Sequence, residues 1–144
     1  MRMCITHRHL FAQLALQLIA EKKNDKALKV LQKCEKVLPS YNVPMTFLSG
    51  GADLARAYAL IGQKVKAKQL LDTVWKNTEQ YARWYVGLTG KRFIQSQNDF
   101  LRQAWMMQSL AETTALIDKH EAAKRTKTLN MLYATYQAKG GTVQ

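Results

Sequence analysis

An internal echo constrains this chain more than any other feature. Leu14, Ala15, Leu18, Ala27 and Leu31 recur as Leu54, Ala55, Tyr58, Ala67 and Leu71, every pair offset by 40 positions. A constant offset over five positions points to two copies of one structural unit. The alanines say what the unit is. Ala15 and Ala27 lack bulk where two helices would touch, and Leu14, Leu18 and Leu31 fill the space around them. Residues 25–39, DKALKVLQKCEKVLP, read as the second helix of the first copy. Val30, Leu31, Cys34, Val37 and Leu38 follow Ala27 at helical spacing, and Pro39 stops the helix.

The remaining elements follow from the same periodicity. Residues 6–21 read as a first helix, with Thr6 as N-cap and Leu10, Phe11, Leu14, Ala15, Leu18 and Ile19 as its apolar face. Asn24 or Asp25 caps the second helix. Residues 40–49 form a connector in which Val43, before Pro44, is extended; Gly50-Gly51 ends it. A third helix covers 52–61, with Gly62 as its C-cap. A fourth begins near Lys64 and outlasts the usual repeat, through Trp75, Tyr81, Trp84 and Tyr85, until Gly87 to Gly90 breaks it. A long helix is predicted over 91–118, carrying Phe93, Ile94, Phe100, Ala104, Trp105 and Leu110. Asp118 caps a last helix to Gln137, with Leu129, Leu132, Tyr133 and Tyr136 facing inward.

Phe11, Leu14, Ala15, Leu18, Ala27, Leu31, Cys34 and Pro39 stand at spacings that resemble the tetratricopeptide motif. The expected fold is therefore all-α: a right-handed stack of helical hairpins with about six helices, the last pair longer and degenerate. One domain, 1–144, would hold repeat one at 8–41, repeat two at about 48–81 and a capping pair at about 91–138 that hides the open end of the stack. The scarcity of proline, with only Pro39 and Pro44, and the lack of β-branched runs agree. In such a stack the first helix of each pair lines a groove, here with His9, Ala12, Leu16, Ile19, Ala52, Arg56 and Ala59. A face this apolar, with one Arg, makes a poor clamp for a peptide carboxylate.

The formal net charge is +12, which attracts anionic partners. The excess is spread along the chain and forms no basic tail. Lys22, Lys26, Lys29, Lys33 and Lys36 follow a 4, 3, 4, 3 spacing, on one face of the second helix opposite its apolar stripe. A solvated outer face explains them, and so does contact with anionic lipid headgroups. Arg56, Arg83, Trp84 and Tyr85 are the candidate partner contacts, since the bulk around Arg83-Trp84-Tyr85 cannot all be buried. Cys4, His7 and His9 fall short of a zinc site, which needs four ligands. No nucleophile–base motif and no phosphate-cradling loop is present, so no catalytic, cofactor-binding or metal residue is expected. Two cysteines make no disulfide framework, no segment is apolar enough to span a membrane, and the first residues do not read as a signal peptide.

Four segments, LALQLIAEKKNDKALKVLQKCEKVLPSYNVP, SGGADLARAYALIG, EQYARWY and LYATYQAKGG, are similar to the C-terminal region of a family of large bacterial membrane proteins. Their polytopic N-terminal part resembles protein O-mannosyltransferases. The resemblance covers roughly residues 6–141. It implies a soluble C-terminal domain facing the periplasm, with catalysis in the membrane part; no catalytic residue carries over, because the matching segments are packing and connector residues. The function expected is a non-catalytic scaffold or docking module for a protein partner or its own membrane domain. A basic nucleic-acid-binding helical protein is the alternative, although no recognition helix or basic tail supports it.

Overall fold

The computed structural model describes residues 2–38 and 45–141, with side chains from residue 5 onward. The chain is all-α, with no strand among the described residues. Seven helices follow in order: α1 (Arg2–Ala20), α2 (Asn24–Val37), α3 (Ala52–Leu60), α4 (Lys64–Gly87), α5 (Gly90–Gln95), α6 (Gln97–Ala115) and α7 (Lys119–Ala138). A π-type turn, Phe47–Gly51, leads into α3. The chain divides into two compact units, Met1–Val74 and Trp75–Gln144, with the boundary inside the α4 range.

In the first unit α1 packs against both α2 and α3. The echoed alanines Ala15, Ala27, Ala55 and Ala67 are all fully buried. Leu31 and Leu71 are fully buried with them. Leu54 and Tyr58 are buried too, whereas Leu14, the counterpart of Leu54, is 49 % exposed and Leu18, the counterpart of Tyr58, is half-buried. Leu10 is also exposed, so the predicted apolar face of α1 holds in part: Ala15 is buried, and Phe11, Leu18 and Ile19 are half-buried. The fully buried side is drawn by Arg8, Ala12 and Ala15. Two other details differ. α1 starts at Arg2, so Thr6 lies inside the helix and is not its N-cap. α2 starts at Asn24 with no side-chain cap, so neither Asn24 nor Asp25 caps it; Lys22, at φ +61°, turns the chain beforehand. The roles expected of Pro39 as a helix stop and of Val43 before Pro44 lie outside the described residues.

In the second unit a short turn folds α7 back along α6. Asp118 caps α7 as expected, its carboxylate accepting from the His120 and Glu121 amides at 3.0 and 3.2 Å. The core is aromatic: Phe100 stacks on Tyr136 at 4.5 Å, and Phe93 and Tyr133 pack around the same ring. The single helix expected over 91–118 breaks at Ser96, which adds a helix to the expected six. The Ser96 hydroxyl donates to the Arg92 carbonyl at 2.7 Å and also reaches the Phe93 carbonyl, closing α5 after Gln95. Ile94 and Trp105, both on the stretch expected to be helical, are 65 % and 63 % exposed.

Candidate functional site

Three features stand out from the packing, and the first is a buried cation. Arg8 is fully buried in the first unit. Its Nη1 donates to the Ser49 carbonyl and its Nη2 to the Leu38 carbonyl, both at 3.2 Å. Next to it, His9 Nε2 donates to the Leu48 carbonyl at 3.0 Å, and Nδ1 faces the Asp53 carboxylate at 3.4 Å. Consecutive residues of α1 thus hold the turn that precedes α3. Thr46 and Ser49 lock the turn from within, the Thr46 amide donating to Ser49 Oγ at 2.8 Å. Nearby, Tyr58 donates to Glu35 at 2.8 Å, and Glu35 pairs with Lys66 at 2.8 Å. One carboxylate therefore ties α2 to α3 and α4. Burial, then the bond to Glu35, raises the Tyr58 pKa. Burial also pushes the Cys34 thiol up to about 11, with Arg8 opposing and Glu35 reinforcing the shift. In this arrangement Arg8 satisfies the carbonyls of Ser49 and Leu38. His9 is committed to Leu48 and Asp53, and the Cys4 side chain of the proposed cluster lies outside the described residues.

The second feature is charge. Lys26, Lys29, Lys33 and Lys36 are exposed on α2, opposite buried Ala27, Leu31 and Cys34. Lys22 is exposed as well, but in the turn before the helix. Among the described residues none of the five has an ion-pair partner, whereas Lys23, Lys66 and Arg83 do. Arg56 is exposed on α3 of the same unit. In the groove proposed for this unit, Ala12 and Ala59 are buried and open no space. The other candidate contacts belong to the second unit. Arg83 is held by Glu79, one turn back, at 2.8 Å. Trp84, 61 % exposed, meets Tyr85 edge-on at 5.1 Å. The candidate residues thus form two separate sets, one in each unit.

The third feature escaped the sequence reading. α6 and α7 leave a groove between them. One part, about 530 Å³, is lined by Ala111, Ala115, Lys119, Ala122 and Ala123 among others. A second part, about 360 Å³, is lined by Leu101, Ala104, Trp105 and Tyr133. Gln108, Leu129 and Asn130 border both, so the two are continuous. Beside the groove a second cation is buried. Arg125 Nη1 donates to Thr114 Oγ1 at 2.9 Å, Nε lies 3.5 Å from Glu121, and the guanidinium sits 5.3 Å from the Trp75 ring centre. A smaller hollow on α1, about 340 Å³, is lined by His7, Leu10, Phe11 and Leu14. The signal for both arginines was there: Arg8 precedes Ala12 and Ala15 at i+4 and i+7, and Arg125 follows Ala122 at i+3, all on buried stripes.

Among the described residues no helix is long and apolar enough to cross a membrane, and no three His, Cys, Asp or Glu side chains gather as metal ligands would. Comparison with protein-family models, curated proteins and solved structures finds no match for this chain.

Proposed function

We propose that this chain is a non-catalytic docking module built from tetratricopeptide-like helical hairpins, and that it serves as the soluble C-terminal domain of a membrane glycosyltransferase-like protein. One observation carries the docking reading: a row of exposed lysines, without ion-pair partners among the described residues, runs along α2, backed by a fully buried stripe. Arg83, by contrast, pairs with Glu79 one turn away on its own helix. Among the described residues no such pair forms in the lysine row, although Asp25 stands one turn before Lys29. The four buried alanines in 40-residue register support the hairpin part of the reading. The parentage rests on the sequence resemblance alone, and on that reading the module faces the periplasm.

The partner proposed for the lysine row is an anionic lipid surface, at roughly 1 kcal/mol for each lysine that reaches it. Co-sedimentation with phosphatidylglycerol vesicles tests this directly. The intact chain should bind, and Lys26→Glu with Lys33→Glu should weaken binding at least about tenfold, since two reversed charges cost more than two lost contacts. The helical circular dichroism signal should not change. No binding by the parent chain would end the membrane-surface reading. A gel shift on random duplex separates the nucleic-acid alternative, whose affinity would fall steeply with salt.

A further inference from the structure

We infer that one flank of the α1–α2 pair enters the acyl boundary of the anionic bilayer met by the α2 lysines, so that apolar side chains anchor the chain as well as charge. The inference rests on the membrane-surface reading above and adds the part of the chain that sits deepest. The two flanks of the pair are told apart by what they touch. On α1 the flank beside α3 is marked by His9, which meets Leu48 and Asp53. On α2 it is marked by Glu35, which meets Tyr58 of α3 and Lys66 of α4. Successive side chains of a helix turn by about 100°. From His9 that rotation runs across buried Ala12, Arg8 and Ala15 to Phe11, then to Leu14 and Leu10. From Glu35 it runs across buried Leu31, Ala27 and Cys34 to Val30 and Val37, then to Lys26 and Lys33. Because α2 folds back along α1 after a short turn, both series end on the same flank, the one away from α3.

That flank joins two kinds of surface. Leu10, Leu14 and Val37 are exposed on it, Phe11 and Val30 are half-buried, and a hollow of about 340 Å³ opens among His7, Leu10, Phe11 and Leu14. Lys26 and Lys33 border this apolar surface on α2, with Lys29 next to them. The three carboxylates of the pair and its turn lie elsewhere. Glu21 pairs with Lys23 in the turn, Glu35 faces α3 and α4, and Asp25 stands beyond Lys29, on the edge of the row away from Val37. An amphipathic surface of this make-up lies in a membrane interface with its apolar side chains about 5–10 Å into the headgroup–acyl boundary. Lysine stems cross the same layer and return the ammonium to the phosphates. A second copy of this chain would bring another +12 and a second set of the same lysines to the flank, and is repelled.

The full chain is tested on vesicles of phosphatidylglycerol and of phosphatidylcholine. Raising salt from about 0.1 M to about 1 M shortens the reach of charge from about 10 Å to about 3 Å and leaves apolar contact in place. The parent chain should bind phosphatidylglycerol at low salt and keep a measurable part of that binding at high salt. Leu10→Gln with Leu14→Gln exchanges two exposed residues for a comparable helix former, so the fold survives. It should weaken low-salt binding about tenfold or more and abolish the high-salt remainder. Leu14→Trp puts a reporter on the flank, and bromine on the acyl chains should quench the emission it adds. Val65→Trp, at an exposed site of α4, is the control and should stay unquenched. Full binding by the glutamine variant at both salts, or no quenching of Leu14→Trp, would overturn the inference and leave contact with headgroups alone. No binding by the parent chain would overturn it together with the membrane-surface reading. Equal binding to phosphatidylcholine would overturn it because charge would then select nothing. Self-association that the glutamine variant abolishes would overturn it too, since the flank would then belong to a second copy.

Discussion

Gly50 stands at φ +89° with the aliphatic stem of Arg8 in the space its own side chain would need. A Cβ there would lie 2.9 Å from Arg8 Cγ and 3.0 Å from Cδ. Two demands meet at one position, a left-handed backbone and close passage of a neighbouring chain segment. Gly50→Ala should therefore destabilise the protein by about 1–3 kcal/mol. Arg8→Met keeps the stem but strands the Leu38 and Ser49 carbonyls, at a cost of about 2–4 kcal/mol for two lost charge-assisted bonds. Urea unfolding followed by circular dichroism measures both. A Gly50→Ala variant as stable as the parent would show that the stem is free to move aside.

Thr114 and Arg125 form a pair whose value depends on both members. The Thr114 hydroxyl donates to the Leu110 carbonyl at 2.7 Å and accepts from Arg125 at 2.9 Å. Thr114→Val leaves a buried guanidinium short of an acceptor, and Arg125→Met removes the charge altogether. A double-mutant cycle should show a coupling of about 1–2 kcal/mol, with the double variant less damaged than the sum of the singles. Strict additivity would mean that the guanidinium is held without help from Thr114.

Lys139 reaches back to the end of α4, its Nζ donating to the Val86 and Leu88 carbonyls at 2.6 Å each. The ammonium also lies 5.2 Å from the Phe93 ring centre. A cation at the C-terminal end of a helix meets both bare carbonyls and the negative end of the helix dipole. Lys139→Met should lower stability by about 1 kcal/mol, read as a fall of roughly 3 °C in Tm. Lys124→Met, on an exposed site, is the control and should leave Tm in place.

The Cys34 thiol gives a pH dependence of defined sign. Burial raises its pKa from 9.0 to about 11, so the folded chain binds more protons than the unfolded one between these values. The stability it contributes is complete below pH 9 and is lost as pH rises through about 11. Cys34→Ala should flatten this part of the alkaline limb of a stability–pH profile. The native thiol should also react slowly with a disulfide reagent at pH 8, and faster in proportion to urea-induced unfolding.

How much of this was legible in the sequence depends on the distance over which each feature is decided. Ala15, Ala27, Ala55 and Ala67 are read correctly because a small residue in helical register has one physical purpose, close approach. The exposed lysines of α2 are legible for the same local reason. Leu10 and Leu14 mislead because apolar periodicity in α1 marks two faces, and only contact with α2 and α3 selects the buried one. Arg8 and Arg125 stand in register with buried stripes, but that register alone does not bury them, because an arginine is buried only where acceptors meet it: Ser49 is 41 residues from Arg8. The break at Ser96 turns on one hydroxyl choosing the carbonyls behind it. The groove of α6 and α7 is invisible because its alanines follow no repeat register; they matter only once the two helices lie side by side.

The reach of Lys139 also sets an order of events during synthesis. The carbonyls it satisfies belong to residues made 51 and 53 positions earlier. At about 5–20 residues per second, the end of α4 leaves the ribosome roughly 3–10 s before its cap exists. Arg8 has the opposite timetable, since it is already in place when the turn it holds is made. The first unit can close as it emerges, while the second stays unlatched until its final helix is complete.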